Sequence, residues 1–231
     1  KEVAMLQLKD VDVYRGDQQV LSKVTADLRP QQITSLIGPN GSGKSTLLQL
    51  LTKALEPRRG VITGRPLSIA LLAQRNELHE PLTVRELLTM TTDVIDDTVV
   101  ALLQLTALLE TPMPELSGGQ QQLAWLGFVL QQQPELVILD EPTTYLDLQY
   151  QHLFLETLRQ LQQQRQFTVI MVLHDLTQAF AYSDQIWLLN DHGQLKSGAV
   201  ADMADVDQLS TTFKTPLTDV IVNQQHLIVH A

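Results

Sequence analysis

At 231 residues and 44% hydrophobic content the chain can close a real core, yet its longest apolar runs, such as Val169 to Leu173, fall far short of the ~20 residues that span a bilayer. A net charge of −10 and a pI near 4.9 argue against gripping nucleic acid or anionic lipid through bulk charge, so any phosphate ligand must be held by a local, preorganised site. The absence of cysteine rules out disulfides and thiolate metal sites and fits a reducing compartment; no basic stretch followed by an apolar one opens the chain, so no signal peptide is expected.

Met5 to Tyr14 alternates apolar and polar residues, with Leu6, Leu8, Val11 and Val13 inward, and predicts one or two strands. Val20 to Leu28 continues as strand up to a turn at Arg29-Pro30, so the opening is expected to form a β layer. A β-prone run, Ile33 to Ile37, then meets Gly38-Pro39-Asn40-Gly41-Ser42-Gly43-Lys44-Ser45-Thr46, and a helix is predicted from Thr46 until Glu56-Pro57 ends it. Strand, glycine loop and helix form the setting in which glycine, four residues, glycine, lysine and serine bind phosphate. The glycines let successive N–H groups and the positive end of the helix point at one anionic spot. Lys44 would reach the β- and γ-phosphates, and the Ser45 hydroxyl would hold Mg²⁺. An ordinary glycine turn has no need of that Lys-Ser pair.

Gly60 to Gly64 predicts a short hairpin strand, and Ile69 to Ala73 another that runs into Gln74. From Leu82 the character turns helical: Thr83 and Glu86 have capping-box spacing, and Ile95, Val99, Leu102, Leu105 and Leu109 recur at helical period as a stripe facing the core. Pro112 and Pro114 close this stretch before Leu116-Ser117-Gly118-Gly119-Gln120, after which Gln121 to Gln131 predicts a further helix. Residues of about 75 to 133 are therefore expected to form a helical insertion in a strand-rich body, with 1–231 as one domain.

Leu136 to Leu139 is the fully apolar run of a buried parallel strand and ends in Asp140-Glu141-Pro142. Leu148 to Gln164 reads as helix, and Phe167 to Leu173 as a second buried strand ending at His174-Asp175. Gln185 to Leu189 and Gln194 to Leu195 are shorter strands around a turn, and Val220 to Val229 a closing hairpin. The glutamine runs at 120–122, 131–133 and 162–164 are expected on solvated helix faces. No carboxylate cluster accompanies His226 and His230, so no metal role is expected there. An acidic pair at the end of a buried strand is what a nucleotide hydrolase needs opposite its phosphate loop: Asp140 can hold Mg²⁺ through water, and Glu141 can polarise the attacking water.

Leu116-Ser117-Gly118-Gly119-Gln120, Leu136 to Pro142, Tyr145-Leu146-Asp147 and His174, in that order behind the phosphate loop, resemble the nucleotide-binding subunits of ATP-binding cassette (ABC) transporters over the whole chain. The resemblance implies an α/β fold: a phosphate-loop core with a mostly parallel sheet, an antiparallel β layer and a helical subdomain. It implies ATP and Mg²⁺ as ligands and a head-to-tail pair of copies. Ser117 and Gly119 of one copy, at a second helix N-terminus with Gly118 and Gln120, would close on the γ-phosphate held by the other. By the same resemblance Tyr14 stacks on adenine, Gln74 senses the γ-phosphate, metal and water, His174 orients the water, and Asp147 lies at the seam between copies.

The chain departs from the family where Leu123 and Phe128 replace arginines that support neighbouring loops, and where Thr143-Thr144-Tyr145 replaces smaller residues. The segments from Pro57 to Gln74 and from Gln74 to Ser117 look trimmed. His174-Asp175-Leu176, Ala179 and Tyr182-Ser183-Asp184 are similar to the ATPases that serve ferric siderophore, haem and cobalamin uptake. The expectation is a peripheral ATPase subunit on the cytoplasmic face of the membrane. It would drive polytopic permease subunits and, through them, act with a solute-binding protein. The alternatives are an exporter subunit, or a soluble ATPase acting on nucleic acid, ribosomes or cluster assembly; the acidic balance and the lack of basic extensions speak against nucleic acid.

Overall fold

The computed structural model describes residues 6–74, 76, 78, 80–222 and 225–231. The most apolar segments become the central strands. β3 (Ile33–Ile37), β6 (Leu136–Asp140), β7 (Thr168–Val172) and β8 (Gln185–Leu189) are buried along their length, Asp140 alone emerging, as befits a parallel sheet covered on both faces. With β5 (Ile69–Leu72) and β9 (Leu195–Ala199) they form a six-stranded sheet of order β5-β6-β7-β3-β8-β9, parallel except for β9. A second, antiparallel sheet joins β1 (Leu6–Arg15), β2 (Gln18–Leu28) and β4 (Arg59–Thr63) in the order β2-β1-β4. β10 (Leu217–Val222) and β11 (Gln225–His230) form the expected hairpin, whose turn lies outside the described residues.

Side-chain alternation divides the core. Val137, Leu139, Val169 and Met171 face one apolar cluster, shared with α2 (Val84–Thr89), α3 (Asp97–Leu102), α4 (Gly118–Gln131), α5 (Leu148–Arg165) and α6 (Leu176–Tyr182). Leu136, Ile138, Ile170 and Val172 face the other, where Trp187, α1 (Lys44–Leu51) and the β1–β2 layer lie. No helix among the described residues is long and apolar enough to cross a membrane.

Several local expectations are corrected. The helix after the glycine loop runs Lys44–Leu51: Thr52 turns its hydroxyl to the Leu48 and Gln49 carbonyls and Lys53 takes a left-handed φ of 61°, ending the helix before Leu55. The stripe from Ile95 to Leu109 is not one helix. Gln104, with φ 56°, breaks it after α3, although Val99 and Leu105 still reach the core. The Gly60 strand, expected only as a hairpin strand, pairs antiparallel with β1. α4 begins at Gly118, three residues before the expected Gln121, because Ser117 and Gln120 close a capping box. α6, α7 (Val200–Met203) and α8 (Val206–Phe213) are additions; Asp175 caps α6 and Asp205 caps α8, the one sequence signal that marks either start.

The glutamine runs are not simply solvated. Gln131 and Gln162 are buried; Gln162 donates to the Gln31 and Phe167 carbonyls, and Gln131 accepts from the Asp96 N–H. Long amide side chains can carry both a donor and an acceptor into places where backbone groups would otherwise lack partners.

Candidate functional site

Register brings the predicted groups to one edge of the sheet. Asp140 pairs with Val172, and Val172 with Leu36, so β6, β7 and β3 end in one row. Glu141, His174 and the loop after Ile37 leave the sheet side by side, with β3 and β6 two strand spacings, about 10 Å, apart. This is the crevice at the carboxyl ends of parallel strands where α/β folds hold ligands.

The glycine loop is shaped by sterics. A Cβ on Gly38 would stand 2.2 Å from the Leu189 carbonyl oxygen of β8. Gly43 precedes α1 in a left-handed conformation, φ 105°. α1 has no side-chain cap and no acidic residue in its first turn, so no side chain among the described residues competes for its N-terminal N–H groups. Lys44 is only 7% exposed, and its ammonium donates to the Gly38 and Pro39 carbonyls at 2.8 and 3.0 Å. Burial lowers its pKa, partly offset by the charges of Glu141 and Asp140. The Ser42 hydroxyl is buried without a hydrogen-bond partner among the described residues. An under-neutralised ammonium, uncapped N–H groups and an unpaired hydroxyl fit a polyphosphate anion.

Burial and the neighbouring Glu141 raise the pKa of Asp140, against the opposing pull of Lys44 and His174. A cation beside Asp140 would relieve that cost, and with the exposed Ser45 hydroxyl the oxygen donors fit a hard divalent ion such as Mg²⁺. Glu141 is held from two sides: Gln74 Nε2 donates to one carboxylate oxygen at 2.7 Å, and His174 Nε2 lies 2.6 Å from the other. Each oxygen keeps a second lone pair, so the pinned carboxylate can still accept a proton from water. Glu141 also sits at φ 53°, a left-handed position that costs a non-glycine residue about 1 kcal/mol and which its neighbours must hold.

The signature segment has no hydrogen bond to these groups among the described residues. Ser117 Oγ accepts from the Gln120 N–H at 3.3 Å, and Gln120 Oε1 from the Ser117 N–H at 2.9 Å. Ser117 and Gly118 are exposed; Gly119 is buried against Tyr150, whose ring a Cβ there would meet at 2.3 Å. Asp147 caps α5 by accepting from the Tyr150 N–H, between the outward-facing Tyr145, 94% exposed, and Leu148, 84% exposed. Tyr14 carries the Arg58 guanidinium over its ring at 4.7 Å, a partner that sequence reasoning missed because only the pairing of β4 with β1 brings Arg58, just before β4, beside Tyr14. Leu123 is buried, and Phe128 meets Trp125 edge to face, so apolar packing stands where the resemblance had led one to expect arginines.

Sheet, uncapped glycine loop and acidic strand end together define a phosphate-loop nucleotide-binding fold. The ABC transporter family model matches residues 21–144, and the achromobactin transport ATP-binding protein CbrD of Dickeya dadantii is 34% identical over 231 residues, 89% of this chain and 86% of its own length. The chain therefore belongs to the ABC transporter family, whose ATP-binding proteins are ATPases coupled to transport. The hemin import ATP-binding protein HmuV of Shewanella denitrificans is 33% identical over 233 residues, 89% of this chain and 92% of its own. The zinc import ATP-binding protein ZnuC of Photorhabdus laumondii is 36% identical over 194 residues, 81% and 76%. A metal-chelate type ABC transporter in an inward-facing conformation superposes with a TM-score of 0.86 at 25% identity, covering 99% of this chain and 98% of that one.

Proposed function

We propose that this chain is the ATP-hydrolysing subunit of an importer for an iron complex, a ferric siderophore or haem. It would sit at the cytoplasmic face of the membrane, drive separate permease subunits and work with a solute-binding protein. The iron reading is supported by the extent of likeness: the achromobactin and hemin proteins align over 89% of the chain, the zinc protein over 81%.

In this reading residues 1–231 act as one domain with a helical insertion of about 75 to 133. The segment Gly38 to Thr46, with Lys44, grips the triphosphate of ATP, Ser45, Asp140 and Gln74 hold Mg²⁺, and Tyr14 stacks on adenine. Glu141 takes the proton of the attacking water while His174 and Gln74 fix its carboxylate. Ser117 to Gln120 complete the site of a second copy, and Asp147 lies at the seam between copies. The observation that carries the catalytic part is Glu141, held at both oxygens at the mouth of the phosphate crevice.

Glu141→Gln should retain ATP affinity, lose on the order of 100-fold or more in kcat, and accumulate as an ATP-dependent dimer. Unchanged turnover would remove Glu141 from the base role. Deleting the gene and following uptake of labelled ferric siderophore, haem and zinc tests the cargo: loss of zinc uptake alone overturns the iron reading.

A further inference from the structure

The segment that carries Glu141 is held by a set of uncharged side chains on three helices. Gln122 Nε2, two residues past the signature on α4, donates to the Pro142 carbonyl at 2.9 Å. Gln151 Nε2 on α5 donates to the Leu146 carbonyl at 2.9 Å and the Thr143 carbonyl at 3.3 Å. Gln178 on α6, four residues beyond His174, donates through Nε2 to Gln151 Oε1 at 2.6 Å and accepts from the Thr143 hydroxyl at 3.2 Å. Thr143 is itself buried.

We propose that Gln122, Gln151 and Gln178 are positioning residues that hold segment 141–146 so that Glu141 meets the water attacking ATP, and that they join the signature helix, this segment and the His174 helix into one unit. The inference rests on the proposed role of Glu141 as base. Two features make the network more than loop packing. Glu141 and Tyr145 are both left-handed, at φ 53° and 68°, in a segment without glycine, so the local chain alone does not favour this shape. The bonds also converge from helices that begin at separate functional groups: α4 at the signature, α6 just after His174. Where the family resemblance leads one to expect arginines, Leu123 and Phe128 offer no charge, and neutral amides hold the neighbouring loop. A glutamine in the middle of such a chain suits the task because its amide donates at one atom and accepts at the other, as Gln151 does.

The test compares Gln151→Leu, Gln151→Glu and Gln178→Leu in the full chain, measuring kcat and KM for ATP, affinity for a fluorescent ATP analogue, and Tm. A positioning role predicts that Gln151→Leu lowers kcat about 10-fold to 100-fold while KM and analogue affinity stay within about 2-fold, since small misplacement of a reacting group costs that much. Gln151→Glu keeps size and shape but, ionised, cannot donate to the Thr143 and Leu146 carbonyls, so it should match Gln151→Leu in kcat. Gln178→Leu should lower kcat too, and the double variant should lose less than the product of the two single losses, because both act through one connected set of bonds. Should Gln151→Leu fail to fold, Gln178→Leu, which touches the segment only through the Thr143 hydroxyl, carries the same comparison. Wild-type kcat in Gln178→Leu and in the Gln151 variants, or equal loss of kcat and nucleotide affinity, overturns the proposal. Glu141→Gln, run beside them, separates the two readings: an active Glu141→Gln sinks the base role, whereas an inactive one beside active Gln151 and Gln178 variants sinks only the network.

Discussion

The chain offers two glycine-bearing helix starts to anions, and they are built on opposite principles. The first, at Gly43-Lys44, is left unsatisfied: among the described residues no side chain caps α1 and none partners the Ser42 hydroxyl, and Lys44 is desolvated in a closed cradle. The second, at Ser117-Gly118, satisfies itself through a capping box and stands exposed. A cradle with open valences waits for its ligand in its own chain. A self-capped, outward-facing start folds without a ligand and is free to be presented to another surface. The Ser117 hydroxyl accepts from the Gln120 N–H, so its own proton remains available to donate.

The largest effect should come from filling the first cradle. Gly38→Ala sets a Cβ 2.2 Å from the Leu189 carbonyl, a backbone atom of a fully buried strand that cannot swing aside. Overpacking of this kind costs about 1–3 kcal/mol, or roughly 2–12 °C in Tm for a domain of this size. ATP affinity should fall with stability, because the same displacement moves the N–H groups and Lys44. A variant with normal Tm and normal ATP affinity would show the loop to be looser than its geometry says.

A smaller effect, and a sharper one, separates the two roles of the second helix start. Ser117→Ala removes the cap and should cost about 1 kcal/mol, roughly 2–4 °C in Tm, together with ATP hydrolysis. Ser117→Asp keeps a good capping oxygen, so Tm should hold, but in the proposed pairing it would bring a negative charge to the triphosphate of a second copy and should abolish hydrolysis. If Ser117→Asp hydrolyses ATP at the wild-type rate, Ser117 is only a cap and the head-to-tail pairing through it fails.

The same contrast explains what could be read ahead of the structure. The phosphate loop, the acidic strand end and the buried strands were legible because each is a local pattern: a glycine spacing, an apolar run, a pair of acids where the run stops. The grip on Glu141 was half legible. Gln74 and His174 were singled out, but nothing in the spacing shows that both would reach the same carboxylate, since register across β5, β6 and β7 decides it. The glutamines were misread for a related reason. Runs of one polar residue look solvated, and only tertiary placement shows which amide of each run turns inward, as Gln122, Gln131 and Gln162 do. The break at Gln104 and the stop at Thr52 escaped because apolar period continues through residues whose backbone has already left the helix.

The smallest effect has the opposite sign. Asp140 is the acid that burial penalises: its folded pKa is raised, so the folded protein binds the proton more tightly than the unfolded chain does. Stability therefore falls as pH rises from the ordinary carboxylate value through the raised one, and at neutral pH the penalty is fully present. Asp140→Asn removes it, and the nucleotide-free chain should gain on the order of 1 °C in Tm at neutral pH, little because the group is part-exposed and its charge screened. The gain should vanish at pH ~3, below the unfolded carboxylate value, where Asp140 is protonated in both states. Hydrolysis that depends on Mg²⁺ should be lost in the same variant, since the unfavourable charge that destabilises the empty site is the one a cation would use. A lower Tm at neutral pH would mean instead that Asp140 is held by Lys44 more strongly than burial opposes it, and the cradle would then be less open than the self-capped start it is contrasted with.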